Sequence, residues 1–337
     1  MADFDVKFCP HCGEEIDYVA NTCSGCGEEL PEGASFCPSC GEDVDDKNER
    51  ILKEWQDSYV KENQSRYPDC TNLDQYFTPD GIMFKGSFLP EQRTYPDGKK
   101  IFRWKREKSG EENSLWAKAP LRVLFLTKDQ NTGGDIAWDV RSESFRYRSE
   151  EYKPEEMWLD TGSIFFRNLV YSLYGIMNTT ANRPINYNDF NDKEALAFVD
   201  KQIFARINCK KEVGDAKCEN PVLAAAIDRD KNFLKQQILN LDADILVCCG
   251  SQNDENLILN TVYDIYENEF KYMNFIDGKG TGMHYNKKRN KLAIDAYHLA
   301  YFKGGYKARY SEIIDMYYEF LKHLKDTEGI DFSAAHR

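Results

Sequence analysis

The sequence of 337 residues has no apolar run long enough to cross a membrane, since such a span needs roughly 20 consecutive apolar residues. Its amino terminus, MADFDVKFCPHC, lacks the basic and apolar regions of a signal peptide. Of the eleven cysteines, six form three C-x-x-C pairs and the others have no regular spacing. This pattern favours metal binding in a reducing compartment over a disulfide framework. We therefore expect a cytoplasmic protein without a membrane partner.

The motifs of several enzyme classes are also missing. Thr132-Gly133-Gly134 is too short for a Walker loop and lacks its Lys-Ser/Thr ending. The sequence contains no serine-nucleophile elbow and no His/Glu motif of a metal hydrolase. These absences disfavour a P-loop nucleotidase, a serine hydrolase and a zinc protease.

Negative charge is concentrated near the amino terminus. Residues 1–49 contain 13 acidic side chains against Lys7 and Lys47, so they account for most of the net charge of −13. Two later stretches, 93–108 and 279–309, are basic and interleaved with aromatic residues. This combination is typical of a surface that binds a phosphate backbone and unstacked bases, and it predicts DNA as a partner. An ordinary solvated face is the alternative interpretation.

The three C-x-x-C pairs read CPHC, CSGC and CPSC and are separated by ten residues each. One structural zinc ion takes four thiolates, so two pairs must face each other. The last two pairs resemble the common bacterial zinc ribbon. The first pair competes for the same ion, binds a second one with His11 or another group, or stays free. The predicted zinc ligands are Cys23, Cys26, Cys37, Cys40, Cys9 and Cys12.

A ribbon of this size is stabilised by its metal and serves protein contacts as often as nucleic acid. Its acidity favours a protein partner, or an intramolecular contact in which residues 1–49 cover the protein's own basic groove as a DNA mimic. Zinc is the expected cofactor, and no organic cofactor is expected.

Apolar strands and amphipathic helices alternate in the remainder of the chain. The predicted strands are Leu121–Leu126, Ile203–Cys209, Asp244–Cys249 and Leu292–Tyr297. The predicted helices are Gly162–Met177, Pro221–Leu241, residues 254–267 and Tyr306–Leu324. This alternation predicts a three-layer α/β/α fold with a short, mostly parallel, four-stranded sheet. The predicted domains are a zinc ribbon at 1–46, a helix and irregular lead-in at 47–114, and an α/β domain at 115–337.

At the carboxyl ends of the four predicted strands lie Asp129, Asn208, Gly250 and His298. Carboxyl ends of parallel strands meet at one edge of a sheet, which is where open α/β sheets keep their ligand sites. We therefore expect these four positions to lie close together.

The same segments resemble the uracil-DNA glycosylase superfamily. VLFLTKDQNTGGDIAWDV is similar to that family's first strand, its GQDPYH turn and the aromatic that follows. ARINCKK is similar to the second strand with its Asn, and LAIDAYHLAYF to the last strand with its HPS loop. The resemblance extends over roughly residues 115–325 with the order of motifs preserved, and it implies a uracil-DNA glycosylase-like fold.

The resemblance also implies a role for each matching residue. Asp129 would stabilise an oxocarbenium-like sugar and orient water, and His298 would donate to the leaving base. Trp138 would stack on the flipped base and Asn208 would hydrogen-bond its edge. The residues expected to enter the duplex or hold its phosphates are Leu299, Tyr301, Phe302, Lys303, Lys307 and Arg309.

The departures from the family pattern bear on the substrate. Gln130 and Asn131 stand where the strict uracil enzyme has Pro and Tyr, and that Tyr ring excludes a 5-methyl group. The HPS loop has become His298-Leu299-Ala300. We therefore expect a DNA glycosylase that releases a 5-modified pyrimidine, or uracil, and leaves an abasic site, with a role in anti-phage defence. The alternative is a non-catalytic adaptor whose glycosylase-like domain binds DNA or a nucleotide.

Overall fold

The computed structural model describes most of the chain outside the ribbon: residues 7–8, 15–16, 46–84, 88–94, 100–106, 111–132, 137–143, 145–146, 158–159, 163–215, 217–251, 255–276 and 282–332. The chain divides into two compact units, one of residues 1–46 and 108–111 and one of residues 47–107 and 112–337. The six cysteines predicted to bind zinc lie outside the described residues.

Most of the helices and strands belong to the larger unit. The helices are α1 Lys47–Gln64, α2 Glu111–Ala117, α3 Val140–Glu143, α4 Ile164–Asn178, α5 Asp192–Val199, α6 Asn220–Leu241, α7 Leu257–Ile265 and α8 Gly305–His323. The strands are β1 Lys7–Phe8, β2 Glu15–Ile16, β3 Gly81–Met83, β4 Phe88–Thr94, β5 Lys100–Arg106, β6 Val123–Thr127, β7 Gln130–Asn131, β8 Phe145–Arg146, β9 Trp158–Leu159, β10 Phe204–Asn208, β11 Val213–Gly214, β12 Ile245–Ser251, β13 Lys271–Met273, β14 Gly282–Asn286 and β15 Lys291–Tyr297. No helix within the described ranges is long and apolar enough to cross a membrane.

The main sheet confirms a mixed α/β fold but corrects the prediction of four strands. Within the described residues this sheet has seven strands, in the order β13-β14-β15-β12-β6-β10-β3. The four predicted strands, β6, β10, β12 and β15, form its parallel centre. Antiparallel strands extend both edges, with β14 and β13 beside β15 and with β3 beside β10. The added strands are three to five residues long, too short to produce a clear alternating pattern.

Two apolar layers cover the sheet. The side chains of β6 alternate between them, with Val123 and Phe125 facing the layer of α4, α5 and α8. Leu124 and Leu126 face the layer of α1, α6 and α7. Successive side chains of a strand point to opposite faces of the sheet, and here both faces are buried. Residues 123–126 of β6 are therefore all apolar. Helix α1 and strand β3, part of the predicted lead-in, belong to the same compact unit as the sheet.

The order of the four parallel strands determines where a ligand site is expected. Along the chain the four parallel strands follow one another as β6, β10, β12 and β15. Across the sheet their order is β15, β12, β6 and β10. Connections therefore leave in opposite directions from the adjacent strands β6 and β12. Open α/β sheets bind ligands at such a switch point, outside the carboxyl ends of the strands.

Candidate active site

A cavity of about 630 Å³ opens at the carboxyl ends of the parallel strands. This volume is within the range of pockets that enclose small ligands. Its walls come from the turn after β6, the segment before α6, the end of β12 and the loop after β15. The residues that line it are Lys128, Asp129, Asn131, Asp215, Lys217, Cys218, Glu219, Ser251, Tyr297, His298, Ala300 and Tyr301. Four residues predicted from the sequence, Asp129, Asn131, His298 and Tyr301, are therefore brought together here.

Asp129 is held in place by the neighbouring turn. The short parallel ladder of β7 and β11 pairs Asn131 with Gly214. Lys210 Nζ donates to Asp129 Oδ2 at 3.1 Å, and both side chains are almost completely buried. A Cβ atom added to Gly214 would lie 2.0 Å from Asp129 Oδ2. A side chain at position 214 would therefore force the Asp129 carboxylate to move.

His298 presents a neutral ring to the cavity. Its Nδ1 accepts a hydrogen bond from the Ala300 amide at 3.2 Å, so the neutral ring carries its proton on Nε2. Burial, with the positive charges of Lys128 and Arg206, lowers the pKa of His298 to about 4 against the opposing charge of Asp129. At neutral pH this side chain is a hydrogen-bond donor without a charge.

Asn208 is fully buried at the end of β10. Its Oδ1 accepts a 2.6 Å hydrogen bond from Thr127 Oγ1, and its backbone amide donates to Asp80 Oδ2 at 2.7 Å. Among the described residues its Nδ2 has no hydrogen-bond partner. Leaving a buried donor without an acceptor costs free energy. The side-chain amide of Asn208 is therefore held with an N–H group that makes no hydrogen bond, at a cost in stability. Asn208 is not among the side chains that line the cavity.

The side chain of Gln130, which was predicted to bind the substrate, is buried and bonded to the backbone of Trp138. Its Nε2 donates to the Trp138 carbonyl at 2.8 Å, and its Oε1 accepts from the Trp138 amide at 3.1 Å. Both ends of the side chain therefore hold the backbone of Trp138. The Trp138 ring is partly buried against the apolar core and is not among the cavity-lining side chains.

The loop after His298 combines buried and exposed side chains. Leu299, which was predicted to enter the duplex, is 3% exposed and packs within the core. Tyr301 and Phe302 are 37% and 42% exposed, so both can reach a ligand. Tyr301 stacks on Tyr297 with ring centroids 4.7 Å apart.

The predicted phosphate contacts also divide into two groups. Lys303 and Lys307 are exposed beside this loop. Arg309 instead forms an ion pair with Glu312 at 2.6 Å and packs its guanidinium over the Tyr301 ring. Its Nε and Nη1 atoms have no hydrogen-bond partner among the described residues.

The basic stretch 279–309 is not one continuous surface. The turn between β14 and β15 lies at the amino end of β15, whereas His298 follows the carboxyl end of the same strand. Its cations form ion pairs within the protein, Lys288 and Arg289 with Glu269 at 2.6 and 2.9 Å. The side chains of the other basic stretch, 93–108, lie outside the described residues.

Sequence reasoning missed the charged residues that surround Asp129 and His298. Lys128 and Lys210 flank Asp129, and Arg206 lies within β10 beneath the Phe165 ring, 4.5 Å from its centroid. Arg206 was detectable in principle, because a charged residue is unusual in the middle of a strand buried on both faces. The pairing of Lys210 with Asp129 joins positions 81 residues apart and has no sequence signal.

Comparison with known families matches residues 2–41 to the double zinc ribbon family. The matched segment contains all six cysteines of the C-x-x-C pairs and supports structural zinc there. Searches against curated proteins and against solved structures gave no match. The chemistry of the cavity must therefore be inferred from its own residues.

Proposed function

We propose that the protein is a DNA glycosylase, which hydrolyses the N-glycosidic bond of a flipped pyrimidine nucleotide and leaves an abasic site. The observation that carries the proposal is that Asp129 and His298 line one cavity at the switch point of the sheet. A carboxylate and a neutral hydrogen-bond donor are the two groups that this reaction needs, one at the sugar and one at the base.

The two groups divide the charge that develops in the reaction. When the C1′–N1 bond stretches, the sugar becomes positive and the base becomes negative. The Asp129 carboxylate stabilises the positive sugar and orients the attacking water. The Nε2–H of His298 donates to the base oxygen where negative charge accumulates. Because the pKa of His298 is about 4, its ring is neutral at neutral pH. It therefore donates a hydrogen bond to the base without transferring its proton.

The substrate side of the proposal is a base with a substituent at position 5. Asn131 lines the cavity and is exposed. In the uracil-DNA glycosylase superfamily, which the sequence resembles, the matching position is a Tyr whose ring excludes a 5-methyl group. The proposed substituent is a hydroxymethyl or glycosylated group, as on a modified phage pyrimidine, and the proposed role is defence. Tyr301 and Phe302, exposed near the cavity, supply aromatic surface for unstacked bases.

A base-release assay tests this proposal. Single-stranded and duplex oligonucleotides carrying uracil, a thymine mismatch, 5-hydroxymethylcytosine or glucosylated 5-hydroxymethylcytosine are incubated with the full chain. Released bases and alkali-labile abasic sites are then measured. Release of a 5-modified base supports the whole proposal, and release of uracil alone contradicts its substrate part. Release of no base from any oligonucleotide contradicts glycosylase activity.

A second candidate function is a non-catalytic adaptor that binds DNA or a nucleotide in the same cavity. The observation favouring it is that Asp129 is nearly buried and already paired with Lys210, an arrangement that also suits a purely structural carboxylate. The zinc ribbon would then recruit a protein partner. In this case Asp129→Asn leaves DNA affinity intact and there is no base release to lose.

A further inference from the structure

Residues 75–80, part of the predicted lead-in, lie against the segment that contains Trp138. Two carbonyls of residues 75–80 accept hydrogen bonds from the amides of Ala137 and Val140, at 2.6 and 3.0 Å. These two bonds lie on either side of Trp138 in the sequence. The lead-in therefore fixes the backbone of a segment that follows the Asp129 turn.

The same six residues also contact the chain that follows β10. The Thr78 amide donates to the Lys211 carbonyl at 2.8 Å. The residue before Lys211 is Lys210, whose ammonium pairs with the Asp129 carboxylate. Residues 75–80 are therefore hydrogen-bonded to both segments that surround Asp129.

Asp80, the last residue of this segment, is completely buried. Its carboxylate accepts hydrogen bonds from Lys211 Nζ at 2.5 and 2.6 Å and from Gln237 Nε2 at 3.0 Å. It also accepts from the backbone amide of Asn208 at 2.7 Å. The Lys211 ammonium in turn lies 4.8 Å from the centroid of the Trp55 ring. One carboxylate thus binds the end of β10 and the chain that leaves it.

Stability alone does not account for a buried ion pair of this kind. Apolar residues of similar volume are often equally stable or more stable at such positions. An apolar pair, however, could not accept the Asn208 amide. It also could not fix Lys211, whose neighbour Lys210 is the partner of Asp129. The arrangement at Asp80 therefore specifies where this part of the chain lies.

We propose that Asp80 is a positioning residue of the cavity. It holds the end of β10 through the Asn208 amide, and through Lys211 it holds the segment that brings Lys210 to Asp129. Asp80 is not among the described residues that line the cavity, so it acts through these neighbours and not on a ligand. Its effect on base release rests on the proposed function, whereas its effect on the cavity segments does not.

Two double variants separate the acceptor from the charge. Asp80→Asn combined with Lys211→Met removes both charges and keeps an oxygen that accepts the Asn208 amide. Asp80→Leu combined with Lys211→Met removes both charges and the acceptor. Neither double variant leaves an unpaired buried charge, which is the most destabilising outcome at such a site. Thermal melting verifies that both are folded.

Amide hydrogen exchange of the full chain tests the proposal without any cleavage. The variant with Asp80→Leu is expected to exchange about tenfold faster than the wild type in residues 137–143 and 208–214, the effect of losing one buried hydrogen bond. Helices α4 and α8, in the layer on the other face of the sheet, should exchange as in the wild type. The variant with Asp80→Asn should show a smaller increase in the same two segments.

The matched control removes a different ion pair of the sheet. Arg122 and Asp244 pair at 2.8 Å beside the amino ends of β6 and β12, away from the cavity. Arg122→Met combined with Asp244→Asn should leave exchange in residues 137–143 and 208–214 unchanged. The proposal is overturned if the Asp80→Leu variant shows no increase there, if its increase extends equally over α4 and α8, or if both Asp80 variants show the same increase.

Base release provides a second measurement under the proposed function. The maximal single-turnover rate is expected to fall about tenfold or more in the variant with Asp80→Leu, because the groups around Asp129 are misplaced. Oligonucleotide affinity should stay within about threefold of the wild type. The variant with Asp80→Asn should recover most of the rate, which a purely structural loss would not show. Equal rates in the two variants would contradict the positioning role.

The outcome is separable from that of the proposed function. Faster exchange confined to the two segments, in a protein that releases no base from DNA, would refute the glycosylase and leave Asp80 as a positioning residue. Base release by the wild type, with exchange and rate unchanged in both Asp80 variants, would support the glycosylase and overturn the positioning role.

Discussion

Lys210 Nζ lies 3.1 Å from Asp129 Oδ2, with the two side chains 6% and 9% exposed. The lysine uses its remaining donors on the carbonyls of Glu212 and Val213, at 3.0 and 3.2 Å. This arrangement fixes the carboxylate at the end of β6 while one side of it still borders the cavity. A carboxylate that is oriented before substrate arrives needs no reorganisation during the reaction.

Lys210→Met is expected to lower the free energy of unfolding by about 3 to 5 kcal/mol, because it leaves the Asp129 charge buried without its partner. Urea denaturation measures the change. Combining it with Asp129→Asn should recover part of the loss, since the unpaired charge is then gone. A loss below about 1 kcal/mol in the single variant would show that the pair behaves like an exposed one.

Gly214→Ala is expected to displace Asp129, because the new methyl group would lie 2.0 Å from Oδ2. Under the proposed function, base release should fall by at least about tenfold, the usual cost of a misplaced catalytic group. Oligonucleotide affinity, measured by fluorescence anisotropy, should change little because Gly214 adds no contact of its own. Unchanged base release in a folded variant would show that the position of Asp129 does not matter.

Acid should destabilise the protein through two histidines. Burial lowers the pKa of His284 to about 4, and His298 has a similar value. In the unfolded chain each ring gains a proton as the pH falls through about 6.5, whereas in the folded protein it stays neutral until about 4. Stability is therefore complete above pH 6.5 and decreases between pH 6.5 and about 4, by up to about 3 kcal/mol for each histidine.

His284→Gln isolates one of these contributions. The Tyr263 hydroxyl hydrogen-bonds to His284 Nδ1 at 2.7 Å, and glutamine keeps a polar partner for it. Urea denaturation at about pH 7 and about pH 5 should show a smaller loss of stability on acidification in the variant than in the wild type. An equal loss in both proteins would show that His284 does not contribute.

Zinc should be bound by the amino-terminal cysteines, because residues 2–41 match the double zinc ribbon family. Metal analysis of the purified full chain is expected to find at least one zinc ion per molecule, and Cys37→Ser should remove it, since one lost thiolate opens a four-thiolate site. Cys9→Ser determines whether the first pair takes part: retained zinc assigns the site to the later two pairs. Zinc content unchanged by Cys37→Ser would contradict the assignment.

The sequence predicted the parallel core because its signals are local. Helix α6 was placed from its apolar period and from Pro221 near its start, and it spans Asn220–Leu241. Helix α4 begins at Ile164 with Ser163 as its cap rather than at Gly162. Such shifts of one or two residues are normal at helix ends.

The parts that could not be predicted depend on distant pairs. Strand β3 joins the sheet through three residues paired with β10. Beside it, Asp80 and Lys211 form a fully buried ion pair at 2.5 Å, and Asp80 also accepts from the Asn208 amide. These residues are 131 positions apart, and neither segment has a pattern that indicates the other. The same is true of Asp129 and Lys210. These residues are far apart in the sequence, and the folding of the sheet brings them together.

The most direct test of the central claim is single-turnover base release by the wild type, Asp129→Asn and His298→Gln on one oligonucleotide of the pyrimidine panel. The proposed function predicts that each substitution lowers the rate by about a hundredfold or more, while DNA affinity measured by anisotropy stays within about threefold of the wild type. Base release at the wild-type rate in Asp129→Asn, or none in the wild type on any substrate, would contradict the assignment of this cavity as a glycosylase active site.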